Sequence, residues 1–378
     1  MCAPRHKMAR PQVVELFSGT GGFTLGSYRA GFQTALAVEI DPMLGSSYSR
    51  NFPGALLLEG DVTRLSAVPT LRMLGMDPGE IAGIVGGPPC QGFSDIGHRN
   101  PDDPRNGLVA EFFRWVRAIR PPFYVMENVP GLLSADFAHI LRRELVRTRG
   151  YTVVGPMIVD AAEYGAATRR RRVIVIGYRR GAVRPVDQAA ITAARLPTQN
   201  VRAAIADLSS PAEAVLGDDG HHWGSYRVGV APSSYAERAR EVPPDGLGSE
   251  NARNAAREAR TSGFQVTRHT RPVLERWTDL KQGSKDEISK AQRLSWDRPA
   301  PTLRAGTGPD RGSFQAVRPI HPVEPRVITV REAARVQGFP DWFEFHTSMW
   351  HSFRMIGNSV SPYVAEAVLG ALRERLEG

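Results

Sequence analysis

Val13-Val14-Glu15-Leu16-Phe17-Ser18-Gly19-Thr20-Gly21-Gly22 is an apolar run that breaks into glycines and passes, from Thr24 to Ala30, into a helical pattern. A strand that enters a helix through glycines lets a ligand approach the backbone closely at the helix N-terminus. One such turn is weak evidence, since it often serves only as a tight connection. Glu39 strengthens it, closing the next strand-like run, Thr34 to Val38, at about the twenty-residue spacing at which nucleotide-binding sheets set a carboxylate on ribose hydroxyls. Asp61, in Gly60-Asp61-Val62 after the run Ala55 to Leu58, is placed to accept from an adenine amine. The pattern fits an adenosyl cofactor, with NAD and S-adenosylmethionine both open.

The rhythm continues through Ile81 to Val85, Val109 to Ile119, Phe123 to Met126 and Val173 to Gly177. Strands alternating with helices predict βαβ units around a mostly parallel sheet, an α/β fold. Residues 181 to 320 then turn rich in Gly, Pro, Ser and Arg and read as a second, irregular domain. Periodicity returns at Thr329 to Val336 and Pro362 to Leu376, so the expected division is 1–180, 181–320, and a segment 321–378 that rejoins the first domain.

Gly86-Gly87-Pro88-Pro89-Cys90-Gln91-Gly92-Phe93-Ser94 presents a thiol at the exit of the Ile81 to Val85 strand. A free cysteine is most often a small buried hydrophobe. A structural cysteine, however, has no need of a rigid Pro-Pro entry or of the polar, Gly/Pro-rich exit over residues 95 to 107, which suits a loop over a substrate. Only Cys2 and Cys90 are present in 378 residues, which excludes a disulfide framework and a zinc cluster and points to a reducing cytoplasm. No apolar run approaches a membrane span, no metal is expected, and 42% hydrophobic content suffices for a packed core. A net charge of +9, carried almost wholly by arginine, suits a polyanionic partner without proving one.

Glu127-Asn128-Val129 follows the apolar Phe123 to Met126, and a strand-end carboxylate against apolar walls suits a proton donor. Arg169-Arg170-Arg171-Arg172 precedes Val173 to Gly177. Four arginines are usually a solvated run, but alternate residues of a strand share a face, so Arg170 and Arg172 are expected to point together into a site.

In this order the motifs resemble those of the DNA (cytosine-5) methyltransferases that use S-adenosylmethionine, over most of the chain. Phe17, Ser18, Gly19, Thr20, Gly21 and Gly22 resemble the cofactor loop. Glu39 with Ile40 resembles the ribose site, Asp61 with Val62 the adenine site, and Pro88-Pro89-Cys90-Gln91 the nucleophile motif. Arg105-Asn106-Gly107-Leu108 looks like the motif that lends an apolar residue to the cofactor pocket. Glu127-Asn128-Val129 and Arg170-x-Arg172 look like the cytosine-holding motifs. Thr329 to Pro340 and Gly357-Asn358-Ser359-Val360 are similar to the closing motifs, the last of which folds back onto the cofactor in the family. The resemblance implies a Rossmann-like S-adenosylmethionine-dependent methyltransferase domain with a smaller, irregular target-recognition domain. It assigns Cys90, Glu127, Arg170 and Arg172 to catalysis, with Pro89, Leu108, Asn358, Ser359 and Val360 joining the cofactor site.

The implied reaction flips a cytosine out of duplex DNA, since its chemistry cannot occur inside the stack. Cys90 attacks C6, Glu127 serves N3 and Arg172 the O2 side, and C5 takes the methyl group; a thiolate both attacks and leaves well. Gln91, Ser94, Ile96 at the loop-wedge position, Asn128, and Thr302 of Pro301-Thr302-Leu303 are the implied DNA contacts. The chain departs from the family in having Ala167-Thr168 where Pro-Gln is usual, which puts a supporting hydrogen bond in doubt. The expected protein is a monomer acting on double-stranded DNA, the protective half of a pair whose restriction endonuclease acts separately. A tRNA-methylating relative and a non-catalytic DNA-binding relative are the alternatives. The long variable segment and the lack of a Cys-Phe-Thr signature weigh against the first, and retention of Cys90, Glu127 and the glycines against the second.

Overall fold

The computed structural model describes residues 10–89, 107–304 and 318–377. Strands β1 (Gln12–Leu16), β2 (Gln33–Glu39), β3 (Leu56–Glu59), β4 (Ile81–Gly86), β5 (Phe123–Asn128), β6 (Thr152–Asp160) and β7 (Arg171–Tyr178) form one sheet in the order β3-β2-β1-β4-β5-β7-β6. The first five pair in parallel, whereas β7 runs antiparallel to both β5 and β6. The sheet is therefore mostly parallel, as the sequence predicts. β6 had no clear signal, because Gly155-Pro156 interrupts it and several of its side chains face solvent at the sheet edge.

Buried residues alternate between two cores, which is the period of two that a doubly covered sheet imposes. Val13, Ala37, Val85, Val125, Ile174 and Ile176 face one side. Val14, Leu16, Leu36, Val38, Ile84, Tyr124, Met126, Val173 and Val175 face the other. The helix Leu108–Ile119 covers the second side with Val109, Phe112, Phe113 and Val116, a spacing that fills one helical stripe. The C-terminal helix Pro362–Arg373 covers the first with Val364, Ala365, Val368, Leu369 and Leu372. It packs on the helix Gly22–Arg29 so closely that a side chain at Gly26 would collide with Ala365.

Between β7 and the C-terminal helices lie short helices and a small antiparallel sheet of β8 (Val215–Leu216), β9 (His222–Gly224) and β10 (Thr261–Ser262). Arginines tie this irregular chain together. Arg293 donates to the carbonyls of Trp277, Thr278, Leu280, His321 and Val323, and Arg253 to those of Pro243, Pro244 and Leu247. Carbonyls that regular ladders would satisfy are met here by guanidinium forks.

Candidate active site at the carboxyl edge of the sheet

Strand order reverses at β1, which has β2 on one side and β4 on the other, with Leu16 level with both Val38 and Gly86. A crevice opens at such a reversal beyond the carboxyl ends of the strands. The 17–22 loop, Glu39 and the Gly87-Pro88-Pro89 turn all leave the sheet there.

Phe17 begins the loop in the left-handed region at φ 58°, a strained conformation for a non-glycine residue. Gly19 and Gly21 also have positive φ, and at Gly21 any Cβ would strike the Phe52 ring. The Ser18 amide donates to the Val38 carbonyl (3.1 Å), and Thr20 Oγ1 pairs with Ser47 Oγ (2.9 Å). Ser18 Oγ is buried without a hydrogen-bond partner among the described residues. Glu39 knits the edge together: Oε2 accepts the Gly19 amide at 2.8 Å, and Oε1 accepts the Ile40 and Asp41 amides at 3.0 and 2.9 Å. Burial nevertheless pushes the Glu39 carboxyl above its ordinary pKa, opposed by those amides. Ile40 beside it is 66% exposed, an open apolar face next to an acid. Asp61 accepts the Thr63 amide at 2.9 Å; hydrogen bonds from Thr63 hold its carboxyl below the usual range. Val62 turns its side chain into the second core and accepts from Arg114 at its carbonyl.

Glu15, within the apolar run of β1, is a buried acid that the sequence reading passed over. It accepts from Thr24 Oγ1, which pairs in turn with the Tyr48 hydroxyl at 2.8 Å. Desolvation pushes Glu15 up to about 8, against the Thr24 hydrogen bonds. The signal was a lone carboxylate between Val14 and Leu16.

On the other flank, β5 brings Glu127 beside the β4 turn. A Cβ at Gly87 would lie 3.0 Å from Glu127 Oε2, so the missing side chain gives the carboxylate room. Arg172 Nε meets Glu127 Oε1 at 2.8 Å, with both side chains largely buried. Asn128 has partners within the chain. It is 2% exposed, donating from Nδ2 to the Pro88 carbonyl at 3.2 Å and accepting the Val129 amide at Oδ1, so it fixes the turn that precedes Cys90 in the chain. Cys90, Gln91, Ser94, Ile96 and the Arg105-Asn106 pair lie outside the described residues.

The arginine run alternates as expected, with Arg169 and Arg171 exposed and Arg170 and Arg172 turned inward. The two inward heads part company, however. Arg170 donates through Nη1 to the Leu303 carbonyl (3.3 Å) and through Nη2 to those of Gly357 and Ser359 (both 2.8 Å). Thr302 Oγ1 donates to the Arg169 carbonyl at 2.6 Å, so this hydroxyl braces the arginine strand. Ser359 and Val360 press on Gly22, where a Cβ would collide with both, while Asn358 is exposed and Leu108, opening its helix, is partly buried. Asp219, His221 and Glu344 bring ligand atoms within 4.8 Å of one another, but Arg50 and Arg331 stand close to the same carboxylate and imidazole and already supply positive charge there.

A doubly wound sheet with this equipment at its reversal point is a Rossmann-like α/β methyltransferase fold. Residues 11–374 match the family model described as C-5 cytosine-specific DNA methylase, and the chain belongs to that family, a DNA (cytosine-5) methyltransferase. It is 37% identical over 374 residues to the Type II methyltransferase M.XorII of Xanthomonas oryzae, covering 98% of this chain and 86% of that protein. It is 31% identical over 377 residues to M.DdeI of Desulfomicrobium norvegicum, covering 94% and 87%. A crystal structure described as a DNA modification methyltransferase encoded within an E. coli prophage superposes with TM-score 0.84 at 37% identity, covering 96% of this chain and 99% of that one. The S. pombe Dnmt2 methyltransferase shares the fold, at TM-score 0.62 and 18% identity with 97% and 99% covered. Among the described residues no helix is long and apolar enough to cross a membrane.

Proposed function

We propose that the protein methylates cytosine C5 within a specific sequence of double-stranded DNA, with S-adenosylmethionine as methyl donor. The observation that carries this reading is the Glu127–Arg172 pair at 2.8 Å, set against the turn that leads directly to Cys90.

The cofactor fits the residues present. Glu39 Oε2 carries one amide and has capacity for a ribose hydroxyl, Ile40 offers an exposed apolar face for an adenine ring, Asp61 a partly exposed acceptor, and Ser18 an unpaired hydroxyl. Phe17, Gly19 to Gly22, Leu108, Asn358, Ser359 and Val360 complete the assigned pocket, with Pro89 at its junction with the catalytic turn. When bound, S-adenosylmethionine supplies an electrophilic methyl group on a sulfonium.

The chain's own residues prepare the cytosine. The Cys90 thiolate adds to C6, forming a carbon–sulfur bond and moving electron density toward N3 and O2. Glu127 hydrogen-bonds or protonates N3, and Arg172, oriented by the same carboxylate, holds O2, so the charge displaced from the ring is met where it develops. C5 thereby becomes enamine-like and nucleophilic. Once C5 has taken the methyl group, loss of the C5 proton to a base, return of any N3 proton to Glu127 and expulsion of the Cys90 thiolate restore the aromatic ring. Cytosine is flipped from the duplex, with Gln91, Ser94 and Ile96 assigned to contact the DNA.

Residues 181–320 serve as the target-recognition domain, 1–180 as the catalytic domain, and 321–378 as its closing segment. The names of its relatives support a role as the modification partner of a separate restriction endonuclease. Purified protein incubated with methyl-tritiated S-adenosylmethionine should label duplex DNA, with the label recovered as 5-methylcytosine. Label entering tRNA in preference to duplex, or no label from folded protein, would refute the proposal.

A further inference from the structure

Between the recognition segment and the cofactor pocket there is one continuous polar seam. Residues 167–170, leading into β7, are zipped to residues 300–303. The Ala300 amide donates to the Ala167 carbonyl and the Arg169 amide to the Ala300 carbonyl, both at 2.8 Å. Thr168 Oγ1 reaches the carbonyls of Ala300 (3.2 Å) and Pro301 (3.1 Å), and Thr302 Oγ1 that of Arg169 (2.6 Å). Thr168 stands where the family usually has glutamine, and its hydroxyl is spent on this zipper.

Arg170 extends the seam to a third segment. Its guanidinium, on a side chain 2% exposed, spans Leu303 on one side and Gly357 and Ser359 on the other. Ser359 and Val360 lie directly on Gly22, the first residue of the helix that follows the cofactor loop, and Gln337 Nε2 adds a bond to the Ser359 carbonyl at 3.3 Å. Two residues beyond Arg170, Arg172 holds Glu127. A displacement of residues 300–303 therefore has two short, rigid routes: through Arg170 to the cofactor loop, and along the β7 backbone to the catalytic pair.

We infer that Arg170 is a positioning residue that couples DNA engagement by the recognition segment to cofactor binding, through its bonds to Leu303, Gly357 and Ser359. The inference rests on the proposed function, which makes residues 300–303 part of the DNA-recognition segment. A planar fork with divergent donors can hold carbonyls from two segments at once. A lysine ammonium, a single compact charge, cannot reproduce that span. Coupling between two ligands is reciprocal, so it is measurable from either side.

The test measures the affinity of S-adenosylhomocysteine by calorimetry, with and without a saturating duplex bearing the sequence methylated in vivo, for wild type and Arg170→Lys. Wild type should bind S-adenosylhomocysteine about tenfold more tightly in the presence of duplex. Arg170→Lys, with a native circular-dichroism spectrum, should lose most of that factor while its affinity for each ligand alone changes much less. A merely structural role would weaken both separate affinities and leave their ratio intact, and that result overturns the inference. Should the lysine variant fail to fold, Thr168→Val removes two bonds of the zipper while keeping side-chain shape; it should lower the coupling factor, and an unchanged factor overturns the inference. Wild type that binds duplex with no change in cofactor affinity also overturns it while the proposed function stands. If cells expressing the wild type carry no methylated sequence from which to build the duplex, the proposed function and the inference fall together.

Discussion

The carboxyl edge of the sheet and the irregular stretch after β7 are built on opposite plans. At the edge, function sits at the ends of apolar strands: Glu39 takes the amides of its next two neighbours and of Gly19, Asp61 takes that of Thr63, and Glu127 pairs with Arg172 of the adjoining strand. In the irregular stretch side-chain clamps take over from strand ladders. Arg335 reaches Asp207 and Asp341, Tyr226 reaches Asp341, and Arg293 gathers carbonyls from residues 277 to 323. Strand ends are therefore marked by the apolar runs that precede them and read off the chain, whereas a fold held by guanidinium clamps leaves no period to read. The same contrast says which substitutions should disturb catalysis, and which recognition alone.

The largest effect belongs to the nucleophile. Cys90→Ser should lower methyl transfer by at least about 10³-fold while S-adenosylmethionine binding persists, as calorimetry would show. Glu127→Gln comes next, keeping the shape but losing the ion pair with Arg172. Single-turnover rates should fall by about 10² to 10⁴-fold, and an unimpaired rate would remove Glu127 from the proton chemistry. The regional contrast itself is sharpened by a pair of variants. Glu39→Ala should weaken cofactor binding by about 10 to 100-fold, the scale of hydrogen bonds to a charged group. Arg293→Ala should instead loosen the clamp, shown by faster proteolysis near residues 271–323 and weaker duplex binding, with cofactor affinity unchanged. Equal loss of cofactor affinity in both would break the contrast.

The smallest effect is one of pH. Glu15 has a folded-state pKa of about 8 against an ordinary 4.5, raised chiefly by desolvation. Its native state holds a proton that the unfolded chain gives up, so its contribution to stability is complete below the unfolded value and is lost as pH rises through about 8. Glu15→Gln, which stays neutral, should flatten the melting temperature across that window. A pH dependence equal to that of wild type would mean that Glu15 is not its source.

The parallel core was legible because strands covered on both faces are apolar and alternate in destination. Val13, Thr34, Ile81, Phe123 and Val173 all fall in or directly beside strands where their runs predict them. β6 escaped because an edge strand broken by Gly155-Pro156 has no such run. Site residues were legible as types and as strand-end positions, but not in their partners. Asn128 and Arg170 carry polar groups that suit a substrate equally well. Only the fold reveals that one is used by the Pro88 turn and that the other spans Leu303, Gly357 and Ser359. Glu15 was hidden for the opposite reason: an acid in an apolar run looks like an interruption until Thr24 is brought to it.

Bisulfite sequencing of plasmid DNA from cells expressing the protein, beside cells expressing Cys90→Ser, reads the proposed methylation and its dependence on the thiol in one experiment. Protected cytosines are expected at one position of one short recurring motif in the first culture and none in the second. Plasmid left unmethylated by folded, cofactor-bound wild-type protein, or the same methylation from the serine variant, would contradict it.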